Sequence, residues 1–120
     1  MLIEIKIFPR STQLDSERIR KQLVEYECED IVVAGLSEEG VSVTITCGHC
    51  LEPHLIIAKS LLECVFAGVE HQECEAAKTI LTVFLEHDDQ RDFVKSFIFP
   101  VSFLEYIASW NCDLSIHICY

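Results

Sequence analysis

Three stretches of this chain alternate apolar and polar residues with a period of two, and that pattern restricts the fold more than any other feature. Residues 2–8 set Ile3, Ile5 and Ile7 against Glu4 and Lys6. Residues 41–47 set Val41, Val43 and Ile45 against Ser42, Thr44 and Thr46. Residues 113–119 set Leu114, Ile116 and Ile118 against Ser115 and His117. A fourth stretch, 79–86, keeps Leu81, Val83 and Leu85 on one face. Side chains alternate across a strand, so such segments predict strands with one covered face. The polar face, carrying Glu4, Lys6, Ser42, Thr44, Thr46, Ser115 and His117, is expected to stay open.

Helical spacing fills the intervals. A helix is expected from somewhere in 12–16 to about Glu27, with Ile19, Leu23 and Tyr26 as its inner stripe. Pro53 suits the first turn of a second helix reaching about Ala67, and Gly68 suits the position just beyond it. That helix is apolar over most of its surface, which predicts that it is largely buried. Pro100 opens a third, with Phe103, Ile107 and Trp110 on one stripe and Asn111 suited to a left-handed cap. The continuous apolar run 31–36 predicts a strand buried on both faces, joined to 41–47 by the turn 37–40. Residues 87–91 read as a turn and 93–99 as a return strand; Phe93 and Phe97, four apart, also allow a short helix from Asp89. The order is β-α-β-β-α-β followed by β-α-β, and its first six elements match the ferredoxin-like order. The predicted class is α+β: one domain over 1–120, a mostly antiparallel sheet with helices on one face.

Charge narrows the partner. Asp and Glu number 20 against 9 Lys and Arg, a net of −11. From Gln22 onward there are 17 acids and four bases. Such a field disfavours nucleic acid and anionic membrane and favours a basic protein. The outward strand positions are Ser, Thr, Glu and His, not the aromatics of an RNA-binding sheet. The longest apolar run, 55–68, is interrupted by Lys59, Ser60 and Glu63 and is too short for a membrane span. The alternating start of the chain lacks the apolar region of a secretory signal, so a soluble cytoplasmic protein with reduced thiols is expected despite seven cysteines.

Cys47-Gly48-His49-Cys50 is the sharpest short motif. It is identical to the active-site tetrapeptide of protein disulfide isomerases and resembles a thioredoxin-family redox site. That resemblance implies Cys47 as attacking thiolate, Cys50 as resolving thiol and His49 tuning acidity. The family's Trp before the first cysteine is missing. A second alternative is a small zinc-binding domain, with Cys47, Cys50, His71 and Cys74 as two close ligand pairs. A plain structural role for the same cysteines remains open beside both. No nucleophile elbow, zinc-protease or phosphate-loop motif is present, and no cofactor is implied. The remaining candidates are acids at turns and helix ends: Glu25, Glu27, Glu29 and Asp30, then Glu38 and Glu39, then Asp88, Asp89 and Asp92. These read as contacts for a basic partner.

In size, acidity and α+β plan the chain resembles the cytosolic immunity proteins of bacterial contact-dependent and related toxin systems. The pattern from Pro100 to Tyr120, helix then short turn then alternating strand, is similar to small bacterial domains found among them. The resemblance spans the chain in style and has no specific motif. It implies a non-enzymatic protein that binds a basic toxin domain, such as a nuclease, and blocks it.

Overall fold

The alternating stretch at the start of the chain becomes the central strand of a five-stranded sheet. In the computed structural model of the protein this strand, β1 (Leu2–Pro9), pairs antiparallel with β3 (Val41–Thr46) on one side and β4 (Ala77–Glu86) on the other. β2 (Ile31–Gly35) lies antiparallel outside β3, and β5 (Asp113–Cys119) lies parallel outside β4. The order across the sheet is β2-β3-β1-β4-β5. The structure describes residues 1–10, 15–36, 40–48, 51–67, 77–86 and 99–119. The expected return strand over 93–99 therefore falls almost wholly outside the described residues, and Phe99 itself is in no strand.

Three helices cover one face. In α1 (Ser16–Leu23), the Asp15 side chain caps the first turn by accepting the Arg18 amide at 2.7 Å. Glu17 in its first turn and Arg20 and Lys21 in its last complement the helix dipole. α2 (Glu52–Phe66) carries Pro53 in its first turn. α3 (Val101–Ser109) starts after Pro100 and is stopped by Asn111, whose φ of 53° reverses the chain into β5. α2 touches both of the others. Between helices and sheet lies one core: Ile3, Ile5, Ile7, Val43, Ile45, Leu81 and Val83 from the strands meet Ile19, Leu23, Leu55, Leu62, Phe103 and Ile107 from the helices. Each such side chain contributes about 1.5–3 kcal/mol when fully buried. The opposite face carries the polar set expected of it, with no described helix across it. The fold is α+β, and its first six elements are in the ferredoxin-like arrangement.

Three expectations need correction. β2 is an edge strand covered on one face only: Val32, opposite Thr44, lies on the open face of the sheet and is 54% exposed. A continuous apolar run does not distinguish a central strand from an edge strand. The helical stripe of α1 ends at Leu23, because Val24–Tyr26 tightens into a 3-10 turn. Three residues per turn in place of 3.6 rotate Tyr26 off the stripe, and it is 41% exposed. α2 is also less buried than its composition suggests, since Ile56 and Ile57 in its first half face outward.

The register defines two ends of the sheet. Leu2, Ile31, Thr46, Phe84 and His117 stand together at one end, called here the near end. Pro9, Gly35, Val41, Ala77 and Asp113 stand at the far end. α1 runs from far to near. α2 and α3 run from near to far side by side, with Lys59 over the Tyr106 ring at 5.7 Å and Phe66 stacked on Trp110 at 4.5 Å.

Candidate interaction surface

Of the acids singled out in the sequence, Glu25, Glu27, Glu29 and Asp30 lie among the described residues. Glu25, Glu27, Glu29 and Asp30 lie at the near end, where α1 hands over to β2. Glu38 and Glu39 are outside the described residues, but Leu36 and Gly40 on either side of them are bonded at 2.8 Å at the far end. Asp88, Asp89 and Asp92 are also outside the described residues; β4 delivers the chain to them at the near end, at Glu86. Strands of five to eight residues separate these attachment points by roughly 15–25 Å. The sequence leaves open whether these loops share one side; their described flanks stand at two ends of the sheet.

The near-end cluster is the one whose geometry can be stated. All four of its acids are exposed. Among the described residues none of them forms an ion pair, whereas Glu4, Glu17 and Glu63 pair with Lys6, Lys21 and Lys59. Glu27 has a further role: its Oε1 accepts the Val33 amide at 3.1 Å, on the free edge of β2. The chain then turns tightly, Cys28 and Ile31 exchanging backbone hydrogen bonds at 3.1 and 3.3 Å. The Asp30 carbonyl accepts the Thr46 amide at 2.8 Å, tying the cluster to β3. Four acids are thus held in fixed backbone positions on a short, anchored segment.

Apolar groups missed by the sequence reading surround them. Val24 is 52% exposed, and Tyr26 and Val32 are close to that. Tyr26 stands beside the Cys64 thiol, which pushes its phenol up from the ordinary value. Beside the cluster, Glu17, Arg20, Lys21, Val24, Glu27 and Val33 line a groove of about 290 Å³. The wider distribution has the same polarity. Among the described residues the other exposed large hydrophobics are Leu2, Ile56, Ile57, Val101, Leu104 and Ile118, on the near halves of their elements, and Ile116 at the middle of β5. The sequence held one signal for this: Val24 falls off the stripe set by Ile19 and Leu23.

Of the cysteine motif, Cys47 and Gly48 lie among the described residues. Cys47 is buried, and its Sγ lies 3.5 Å from the Ile45 carbonyl. Burial pushes its thiol up from the ordinary value, with the N-terminal ammonium pulling weakly the other way. An attacking thiolate requires exposure and a lowered pKa. The helix that was to acidify it begins only at Glu52. β3 enters the motif from an antiparallel hairpin, and Pro100 precedes α3. His49 and Cys50 lie outside the described residues, as do His71 and Cys74 of the zinc alternative. Among the described residues no group of His, Cys, Asp and Glu is placed to hold a metal ion. Cys28, Cys47, Cys64 and Cys112 are free thiols. Alkylation with iodoacetamide at pH 8, followed by peptide mapping, is expected to label exposed Cys28 at least about tenfold faster than Cys47. Cys47 labelling first would restore the redox reading.

The chain matches no protein-family model, no curated protein and no solved structure. Among the described residues no helix is long and apolar enough to cross a membrane.

Proposed function

We propose that this protein is a non-enzymatic binding protein that docks a basic protein and neutralises it, in the manner of the immunity proteins of bacterial toxin systems. The observation that carries the reading is the near-end corner. Four exposed acids, Glu25, Glu27, Glu29 and Asp30, none in an ion pair among the described residues, share this corner with exposed Val24, Tyr26 and Val32. Interfaces gain affinity from a few apolar and aromatic anchors within a polar rim. Opposite charge adds association rate and selects the partner. A nuclease domain is the partner class that fits best, because gripping phosphate requires a basic surface.

Co-purification with the product of the neighbouring gene, followed by stopped-flow association, tests this. Reversing Glu25 and Glu29 together (E25K/E29K) is expected to slow association about 10–100-fold at low salt. The gap should close as ionic strength rises and the Debye length shrinks toward about 3 Å. Tyr26→Ala should act on dissociation instead. An association rate that ignores both the reversals and salt would end the proposal, as would an acidic partner.

A further inference from the structure

The two edges of the sheet are treated in opposite ways by this chain. At β2 the even-numbered residues bond to β3, as Thr46 to Asp30 and Leu36 to Gly40 show, so Ile31, Val33 and Gly35 turn their backbone groups outward. That edge is closed by the chain itself. Cys28 takes both backbone groups of Ile31, and the Glu27 carboxylate takes the Val33 amide. The Arg20 guanidinium lies 3.4 Å from where a side chain on Gly35 would begin. Charged groups laid over an edge are how proteins prevent strand addition.

Among the described residues nothing protects β5 in this way. Among the described residues its hydrogen bonds run only to β4. It is seven residues long, without Pro, Gly, Lys or Glu, and Asp113 at its start is its one formal charge. On its helix-side face Ile116 and Ile118 are 49% and 56% exposed.

We propose that β5 is a pairing edge for a second copy of this chain, joined antiparallel about Ile116 into one continuous sheet. The inference stands apart from the partner assigned to the β2 corner. The register is self-complementary over the whole strand. Ile116 faces Ile116, Leu114 faces Ile118, Ser115 faces His117, and Asp113 faces Cys119. Apolar side chains meet apolar ones on the helix side, no like charges oppose, and residues of matching parity face each other whichever set of amides points outward. Charge placement agrees. β5 and β2 are opposite edges, so each acidic corner lies about four and a half strand spacings from the twofold axis. At about 4.8 Å per spacing the two β2 edge strands stand roughly 43 Å apart, several times the Debye length of about 8 Å at physiological salt. Dimerisation therefore leaves both acidic corners open and unopposed. A basic strand of another protein has no counterpart charge on β5 to recognise.

Sedimentation equilibrium on the full chain between about 1 µM and 1 mM tests the proposal. Wild type is expected to pass from protomer mass to twice that mass. Ile116→Lys and Ile116→Asp each set a charge against itself across the twofold, so each alone should remain at protomer mass. Mixed in equal amounts they should recover the dimer. Circular dichroism separates this loss from misfolding, and Val24→Lys at the other edge should leave the dimer intact. Wild type at protomer mass throughout, single variants that still dimerise, or a dimer lost through Val24→Lys would each overturn it. So would a protomeric wild type whose complex with a basic protein is broken by Ile116→Lys, which assigns the edge to that protein.

Discussion

Trp110→Ala is expected to lower the free energy of unfolding by about 3–5 kcal/mol, the range for removing a buried aromatic. Trp110 is 4% exposed, and its ring lies at 8° to that of Phe66 with centroids 4.5 Å apart. This stack joins the far ends of α2 and α3. α3 has only nine residues and two other core anchors, Phe103 and Ile107. It is also the crossover that brings β5 parallel to β4. The loss should therefore be spatially uneven, with hydrogen-exchange protection falling first in α3 and β5 and last in β1 and β3. Because Trp110 is the chain's one tryptophan, urea unfolding is best followed by circular dichroism. A cost below about 1 kcal/mol would show that α3 is held by something other than this stack.

Ile5→Ala is expected to cost about 2–5 kcal/mol, whereas Val32→Ala should stay within about 0.5 kcal/mol. Both are β-branched residues in strands, and the sequence gives them similar surroundings. In the fold, Ile5 is 1% exposed and pairs with Val43 on one side and Leu81 on the other. Removing its side chain leaves a cavity at the centre of the sheet that neighbours on three sides cannot close. Val32 faces solvent from the edge, so truncation there exposes little that was covered. Urea unfolding of the pair under one condition provides the comparison. A reversed ranking would mean that β2, and not β1, stands at the middle of the sheet.

Much of the fold was legible because the alternation is strict. Ile3, Ile5 and Ile7, then Val41, Val43 and Ile45, identify the covered face directly, and the expected outer residues Glu4, Lys6, Ser42, Thr44 and Thr46 are on the other side. Pro53, Pro100 and Asn111 marked helix boundaries through backbone constraints that act locally. Legibility failed wherever the answer depended on a neighbour. Tyr26 has the right spacing for a buried stripe but follows the turn on which the helix tightens. Cys47 follows a strand and precedes a helix, the right context for an acidic thiol, yet the core closes over it. Val32 and Ile56 are apolar without being covered. The acid clusters were visible as residues, but their distribution between two ends of the sheet was not.

The sequence by itself determined most of the described elements and the faces that β1, β3 and β4 bury. Those depend on periodicity, chain stiffness and composition, all of which act over a few residues. Only the tertiary structure decided which strands are edges, at which end Glu25, Glu27, Glu29 and Asp30 stand, and that Glu27 and Arg20 close one edge while no described residue pairs with the other. Those properties arise from contacts between residues distant in the chain, and no local pattern encodes which neighbour a segment acquires when the sheet assembles.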